Sequence, residues 1–514
     1  MALIGLPPGV LGAGRAGDLA ALLAGALLPF AFAPYHLYPL AILSPAILFM
    51  AWLSLTPAQA FWRGWLYGLG MFGVGVSWIF VSINRYGAAS IPLALALTFL
   101  FITVMALYVG LLGYVAVRIS RWWRDGGAGF PWMDLLLLYP ALWVLFEWWR
   151  GWFLSGFPWL NLGTSQLGAP LDGLAPIAGV YGVSWAAAFS AGLSASLLLR
   201  PRRWARWMAL FVALWAGVWL LGKAEWTRPA GKPLKVALLQ GNVPQEIKWL
   251  PEQLRPNLEL YTGLTARNWD ADLIIWPETA ITAFYHQLKE GFIEPLHSMA
   301  RRHRTDILAG LPLLDEKNGH YYNAVMSIGT QEAFYRKHHL VPFGDFVPFE
   351  EQLRGLIAFF DLPMSSFSPG PAVQPLLEVA GHPVGISICY EDAFGAEVIR
   401  TLPEAELLVN VSNDAWWGDS FGPHQHLQIA AMRAREGGRP LLRSTNTGIT
   451  ALVDHRGRIV STAPQFQVAT LRGEVQPRQG ATPYVKWGNL PVVLLMAGMV
   501  AGAIFLRRNA ASMG

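Results

Sequence analysis

The sequence predicts a two-part fold: a polytopic α-helical membrane domain of eight spans, joined to an α/β layered domain. Three observations predict it. Hydrophobic residues make up 54% of the 514 residues and charged residues only 14%, against roughly 25% charged in ordinary globular chains. The apolar residues are also concentrated. Up to about Leu221 they form a series of runs, and from Gly222 to about Lys486 charges, short β-like runs and turn residues take over. Finally, 24 tryptophans suit a chain at a membrane interface, where amphipathic rings settle.

Each apolar run approaches the roughly 20 residues that cross a bilayer as helix. Seven precede the polar segment, at about 17–33, 36–54, 60–81, 89–117, 132–150, 171–198 and 204–222. An eighth, NLPVVLLMAGMVAGAIFL, ends in Arg507-Arg508. The N-terminal stretch has no clear basic start and no small-residue cleavage site, so it reads as a retained span. This divides the chain into a transmembrane domain over 1–222, a soluble domain over 223–486, and a closing helix with a short tail over 487–514. Basic residues cluster at Arg118, Arg121 and Arg124, at Arg200, Arg202, Arg203 and Arg206, and at Arg507 and Arg508. With eight spans all three clusters share one side, which the positive-inside rule makes cytoplasmic. The soluble domain is then expected outside the cytoplasm and the C-terminus inside.

Within the soluble domain PLKVALLQG, ADLIIWPE, DILAGLPLL, YNAVMSIG, HPVGISICY and AELLVNVSN are short, β-rich and bounded by turn residues, which predicts strands. SMARRHRTD and PHQHLQIAAMRAREGG have helical spacing, the second stopping at a glycine pair. Alternation of the two kinds predicts an α/β layered domain. Several function classes recede. The single cysteine excludes an intramolecular disulfide and any multi-cysteine zinc site. The close histidine pairs, His338-His339 and His424-x-His426, do not share a helix face, so no metal is expected. A net charge of only +5, much of it beside apolar runs, gives no reason to expect nucleic acid. No glycine-rich phosphate motif is present, so no nucleotide cofactor is expected.

Three residues hold chemical interest. Cys389 ends the apolar run VGISI and opens CYEDAFG, which can begin a helix. Backbone N–H groups at such a turn favour a thiolate and can hold an oxyanion. Alone, Cys389 fits a small buried hydrophobe equally. Glu278 in DLIIWPETAI follows another apolar strand, placed either as a general base or as a solvated turn acid. Lys337 in FYRKHHLVPFGDFVP suits an oxyanion partner or a surface charge.

Together, these stretches resemble the carbon–nitrogen hydrolase (nitrilase) superfamily over roughly 235–480. The resemblance is carried in order by WPET, KHHLVPFGDFVP, ISICYED, NVSNDAWWG, GPHQHLQIAAMRARE and RSTNTGITALVD. It implies an αββα sandwich with a Glu-Lys-Cys triad: Glu278 as base, Lys337 as oxyanion stabiliser and Cys389 as nucleophile. With the apolar runs included, nearly the whole chain resembles the apolipoprotein N-acyltransferases. Members carry an acyl chain from a phospholipid to the α-amine of an S-diacylglyceryl cysteine at a lipoprotein N-terminus. That resemblance implies a bacterial inner-membrane enzyme acting as a monomer without cofactor, its catalytic domain periplasmic. Tyr390 and Glu391 match the family's CYE, with the Tyr390 N–H at the oxyanion and Glu391 in support. Asp345 stands where the family has a glutamate, as a partner of Lys337 or of substrate, or as a plain turn residue. Trp249 in EIKWL matches an aromatic near the acyl or headgroup path, and fits a core or interfacial tryptophan as well. GWFLSGFPWLNLG and DLPMSSFSPG are candidate walls for a water-excluding site.

Two rivals stand beside this reading. A membrane-anchored amidase or nitrilase would use the same triad with water, though a soluble amide gives no need for spans. A transporter with a dead soluble domain should carry buried charges along a path, and only Asp134, Glu147 and Asp172 offer themselves.

Overall fold

The structure is a computed structural model that describes residues 12, 14–87, 89–124, 131–199, 203–348 and 366–512. Its described residues fall into two compact units. One holds 1–80, 92–224 and 487–514; the other holds 81–91 and 225–486.

The first unit is helical. Its helices are α1 (Arg15–Leu27), α2 (Leu40–Trp52), α3 (Pro57–Gly75), α4 (Ile91–Arg124), α5 (Tyr139–Arg150), α6 (Ala175–Leu199) and α7 (Trp204–Leu221), with a last helix over Leu490–Ser512. Thr56 caps α3 through a reciprocal pair of bonds with Gln59, and Pro57 occupies the first turn, where its missing N–H costs nothing. Small residues let these helices close on each other. A Cβ on Gly25 of α1 would sit 2.0 Å from the Tyr67 carbonyl oxygen of α3, so only glycine fits that crossing.

The eight expected spans are not what the helices provide. Among the described residues three stretches are long and apolar enough to cross a membrane: Ile91–Arg121, Pro170–Leu199 and Trp204–Leu221. A fourth arises if Pro57–Gly75 and Ile79–Tyr86, bent by 62°, count as one span. The reason is local. The runs expected at 17–33 and 36–54 become helices of 13 residues each, about 20 Å at 1.5 Å per residue, short of the roughly 30 Å apolar layer. Pro29, Pro34 and Pro39 fall between them and break what the hydropathy joins. The run at 132–150 turns through a π-helical stretch, Asp134–Leu138, and then a 12-residue helix. That helix carries a polar knot: Glu147 accepts from Trp143 Nε1 and the Leu162 N–H, while Arg150 donates to the Phe157 carbonyl and to Asn161. These bonds shape the loop GWFLSGFPWLNLG. Arg200 and Arg202, and Asp361–Ser365 of the second candidate wall, lie outside the described residues.

The second unit is built on two six-stranded sheets. One comprises β2 (Leu234–Gln240), β3 (Leu273–Ile275), β4 (Asp306–Leu314), β5 (Tyr321–Ile328), β6 (Ala333–Arg336) and β13 (Ala469–Val475), in the order β13-β2-β3-β4-β5-β6. The other comprises β7 (Leu377–Val379), β8 (His382–Ile388), β9 (Leu407–Ser412), β10 (Leu441–Thr445), β11 (Ala451–Val453) and β12 (Ile459–Thr462), in the order β12-β11-β10-β9-β8-β7. A two-residue pair, β1 (Arg228–Pro229) with β14 (Arg478–Gln479), stands apart. In each large sheet three adjacent strands run parallel and the outer ones antiparallel. The parallel strands read as buried Val/Ile/Leu runs, as two-sided burial requires. The sheets meet where Ser444 of β10 donates to the Leu239 and Ile275 carbonyls of the opposite sheet. The helices α8 (Leu254–Ala266) and α9 (Glu294–His303) join the first sheet in one apolar core around Trp276, Ile274 and Ile307. A third helix, α10 (Phe421–Gly437), is buried along almost its whole length. All six predicted strands and both predicted helices form.

The segment 81–91 belongs to this unit although the chain reaches it long before residue 225. Ser82 Oγ donates to the Trp416 carbonyl at 2.8 Å, Tyr86 packs edge-on against the Trp416 ring, and Arg85 pairs with Glu246 at 2.9 Å.

Candidate active site

Parallel strands leave a crevice beyond their carboxyl ends where the next turns converge. Glu278 lies in the turn after β3 and Cys389 directly after β8, while Lys337 follows the edge strand β6. All three are buried. The Lys337 ammonium is 2.7 Å from Asp345 Oδ2 and 3.7 Å from Glu278 Oε1. Asn323 of β5 donates to Glu278 Oε1 at 2.7 Å, and its carbonyl accepts the Lys337 N–H. One residue thus holds both the Glu278 carboxylate and the Lys337 backbone.

Burial alone would lower the Lys337 pKa, but the charges of Asp345 and Glu278 overcome it and hold the ammonium well above the usual lysine range. Cys389 goes the other way from the sequence expectation. It opens a five-residue 3-10 turn, Cys389–Ala393, at the stretch expected to begin a helix. Burial first, and then the Glu278 carboxylate, push its thiol up; Lys337 and a bond from Ser412 oppose them without prevailing. Burial and the neighbouring carboxylate thus favour the thiol over the thiolate at Cys389. Its backbone is left-handed, φ +52°, a conformation that non-glycine residues keep only where the surroundings impose it.

Glu391 supplies much of that imposition. Its carboxylate accepts the N–H groups of Ile388, His338 and His339 and the Tyr335 hydroxyl, all at 2.7–3.1 Å. It therefore ties the residue before Cys389 to the two residues after Lys337. Burial raises the Glu391 pKa against the pull of these backbone donors. Asp345 accepts the Val341 N–H at 2.8 Å as well as the lysine, so the shorter acid still reaches Lys337. Tyr390 packs its ring against Phe394 and His339. Trp249 is half-buried on the loop after β2.

Sequence reasoning missed two groups. Behind Cys389 lies a buried network: His426 contacts the Cys389 carbonyl at 3.2 Å, Asp392 at 3.0 Å and Asp414 at 3.0 Å, while Arg443 binds Asp392, Asp414 and Asn410. His426 had surfaced only as half of a possible metal pair. The second is Lys248, which precedes Trp249 and donates to the Glu278 carbonyl and Thr279. In sequence it reads as an ordinary loop lysine. A charged residue beside a motif aromatic is the one faint signal.

Comparison with known proteins agrees with this architecture. Residues 24–193 match the family described as apolipoprotein N-acyltransferase N-terminal domain, and 235–484 match carbon-nitrogen hydrolase. Curated proteins named apolipoprotein N-acyltransferase are similar over nearly full length. That of Methylococcus capsulatus is 48% identical, covering 96% of each chain. That of Azotobacter vinelandii is 48% identical, over 97% of this chain and 96% of its own. That of Coxiella burnetii is 42% identical, over 92% and 96%. A buried acid, ammonium and thiol on a carbon–nitrogen hydrolase sandwich, together with kinship along the whole length, place this acyltransferase in the apolipoprotein N-acyltransferase family.

Proposed function

We propose that the chain transfers an acyl group from a membrane phospholipid to the α-amine of an S-diacylglyceryl-cysteine apolipoprotein, through a thioester on Cys389. The observation that carries this reading is the buried thiol, pushed up by burial and by the charge of Glu278, with that carboxylate itself held by Lys337 and Asn323. Glu278 takes the Cys389 proton as sulfur attacks the ester carbonyl. The Lys337 ammonium and the Tyr390 N–H meet the developing oxyanion, where each such donor contributes about 3–4 kcal/mol in measured oxyanion holes. Protonated Glu278 returns its proton to the leaving lysophospholipid alkoxide. In the second half the acceptor amine attacks the thioester, Glu278 takes the amine proton, and the thiolate leaves and is reprotonated. Asp345 holds Lys337, and Glu391 holds the turn. Trp249 borders the path of the acyl chain. Burial of all three reacting groups keeps water from diverting transfer into hydrolysis.

The same proposal places 223–486 outside the cytoplasm of a bacterial inner membrane, with the chain acting as a monomer. Support comes from the apolar helices that flank the catalytic segments. Arg118 and Arg121 lie at the end of α4 away from 81–91, and Arg203 and Arg206 at the end of α7 away from residue 225. The positive-inside rule assigns both basic ends to the cytoplasm.

The test is mass spectrometry of the full chain in detergent after exposure to phospholipid alone. An acyl adduct on Cys389, absent in Cys389→Ala and discharged onto a diacylated lipopeptide as an N-acyl product, is expected. Free fatty acid without N-acylation would show a hydrolase instead.

A further inference from the structure

Lys248 is a fully buried ammonium, 2% exposed, on the loop between β2 and α8. Its Nζ donates to the Glu278 carbonyl at 3.1 Å and to Thr279 Oγ1 at 2.7 Å. Both acceptors are neutral, and among the described residues Lys248 makes no ion pair. Burying an ammonium this way is expensive, and such a residue is retained for what it does to its neighbours. Burial pulls its pKa down to about 8, and the negative charge of Glu278 partly opposes the fall.

What it touches is strained. Thr279 has φ +45°, an outlier for a β-branched side chain. On one side the turn rests on β4: the Ile281 N–H donates to the Gly310 carbonyl, and a Cβ on Gly310 would lie 2.5 Å from the Thr279 nitrogen. Lys248 closes the turn with its two donated bonds. The Asn257 side chain in turn donates to the Lys248 carbonyl at 3.3 Å, anchoring the loop to α8.

The charges give a second argument. Two acidic side chains, Glu278 and Asp345, face the single ammonium of Lys337, and Lys248 adds a second ammonium that Glu278 attracts.

We propose that Lys248 is a positioning residue for the general base, which clamps the Glu278–Thr279 turn and sets a positive charge against the Glu278 carboxyl as it takes the thiol proton. This rests on Glu278 acting as base toward Cys389. The titratable groups facing Glu278 are Lys337 from the turn after β6, Cys389 from the turn after β8 and Lys248 itself, with Asp345 acting through Lys337.

The experiment is single-turnover acylation of Cys389 in the full chain in detergent, with mixed phosphatidylethanolamine and phosphatidylglycerol, across roughly pH 5–9. Removing a nearby positive charge raises a carboxylate pKa, so Lys248→Met should move the acidic limb to higher pH by about one unit. The rate should then fall about tenfold more at the acid end than on the plateau. Lys248→Gln, which keeps a donor for the turn and loses the charge, should shift the limb likewise. Thr279→Val should slow the reaction equally at every pH, and Lys248→Arg should restore the limb position. A uniform fall in both charge-removing variants would overturn the proposal, and if Lys248→Met does not fold, Lys248→Gln alone decides. Absence of any adduct in the unaltered chain would sink the thioester reading instead, so the two failures are separable.

Discussion

Two buried charge clusters flank Cys389, and they are built to opposite ends. Behind it, Asp392, Asp414, His426 and Arg443 interlock at 2.9–3.0 Å, with Asn410 also bound to Arg443. Burial would raise the Asp414 carboxyl, but Arg443 and His426 hold it far below the usual range. Burial and Arg443 push His426 down, yet Asp392 and Asp414 raise it on balance, and Arg443 also reaches His426 Nδ1 at 2.8 Å. In front, Lys337 grips Asp345 at 2.7 Å but stands 3.7 Å from Glu278. A network this densely bonded is rigid, even with Arg443 Nε left without a partner among the described residues. In the proposed mechanism Glu278 must keep capacity for a proton, and the slack in the front pair provides it. On that proposal the first cluster is a footing for Cys389 and the second is the part that reacts.

Exchanging charges in the two clusters tests that contrast. The largest effect is expected from Glu278→Gln in front. Acylation of Cys389 should fall about 10³-fold, within the usual worth of a general base. Alkylation by iodoacetamide should move the other way, with its pH midpoint falling, because the carboxylate that helps push the thiol up is gone. A midpoint that stays or rises would break the assignment. Next comes Arg443→Met behind, which strands two buried carboxylates. A stability loss of about 3–5 kcal/mol is expected, read from the denaturation midpoint of the full chain in detergent. Adduct formation should persist in whatever fraction stays folded. A midpoint near that of the unaltered chain would mean the rear network bears no weight.

The third prediction concerns pH. A histidine whose pKa is raised on folding lends stability that is full below its unfolded value of about 6.5 and is lost as pH rises through the folded value. Asp414, depressed on folding, lends stability that is present above about pH 4 and is lost as pH falls further. Melting temperature should therefore decline on both sides of a plateau, and His426→Asn should flatten the alkaline decline alone. An unchanged alkaline side in that variant would show His426 to be uncharged at neutral pH. The smallest effect is expected from Asp345→Glu. The longer acid keeps a carboxylate within reach of Lys337, so the acylation rate should stay within about tenfold, whereas a misplacement of one ångström costs roughly 100-fold.

Much of the catalytic unit was legible because its strands announce themselves. LII and VGISI are apolar runs with turn residues behind them, and Glu278 and Cys389 stand just past where those runs end. The rear network was not legible. Asp392 and Arg443 are 51 residues apart and meet only because β8, β9 and β10 lie side by side. Lys248 and Asn323 were hidden for the same reason, since neither sits in a pattern of its own. The membrane half misled in a different way. Hydropathy counts apolar residues, but helix length is set by prolines such as Pro29 and by polar side chains such as Glu147, which mark breaks and knots.

The eleven residues 81–91 carry a practical lesson about modularity. Cutting the chain at residue 225 to obtain a soluble enzyme would strip the Trp416 carbonyl of its hydroxyl partner, bare one face of that indole and orphan Glu246. The stretch so disturbed borders Asn413, whose amide bonds to Gln245 on the loop bearing Lys248. Excision would thus loosen the enzyme near its base, and a co-expressed peptide spanning the missing stretch is the natural remedy.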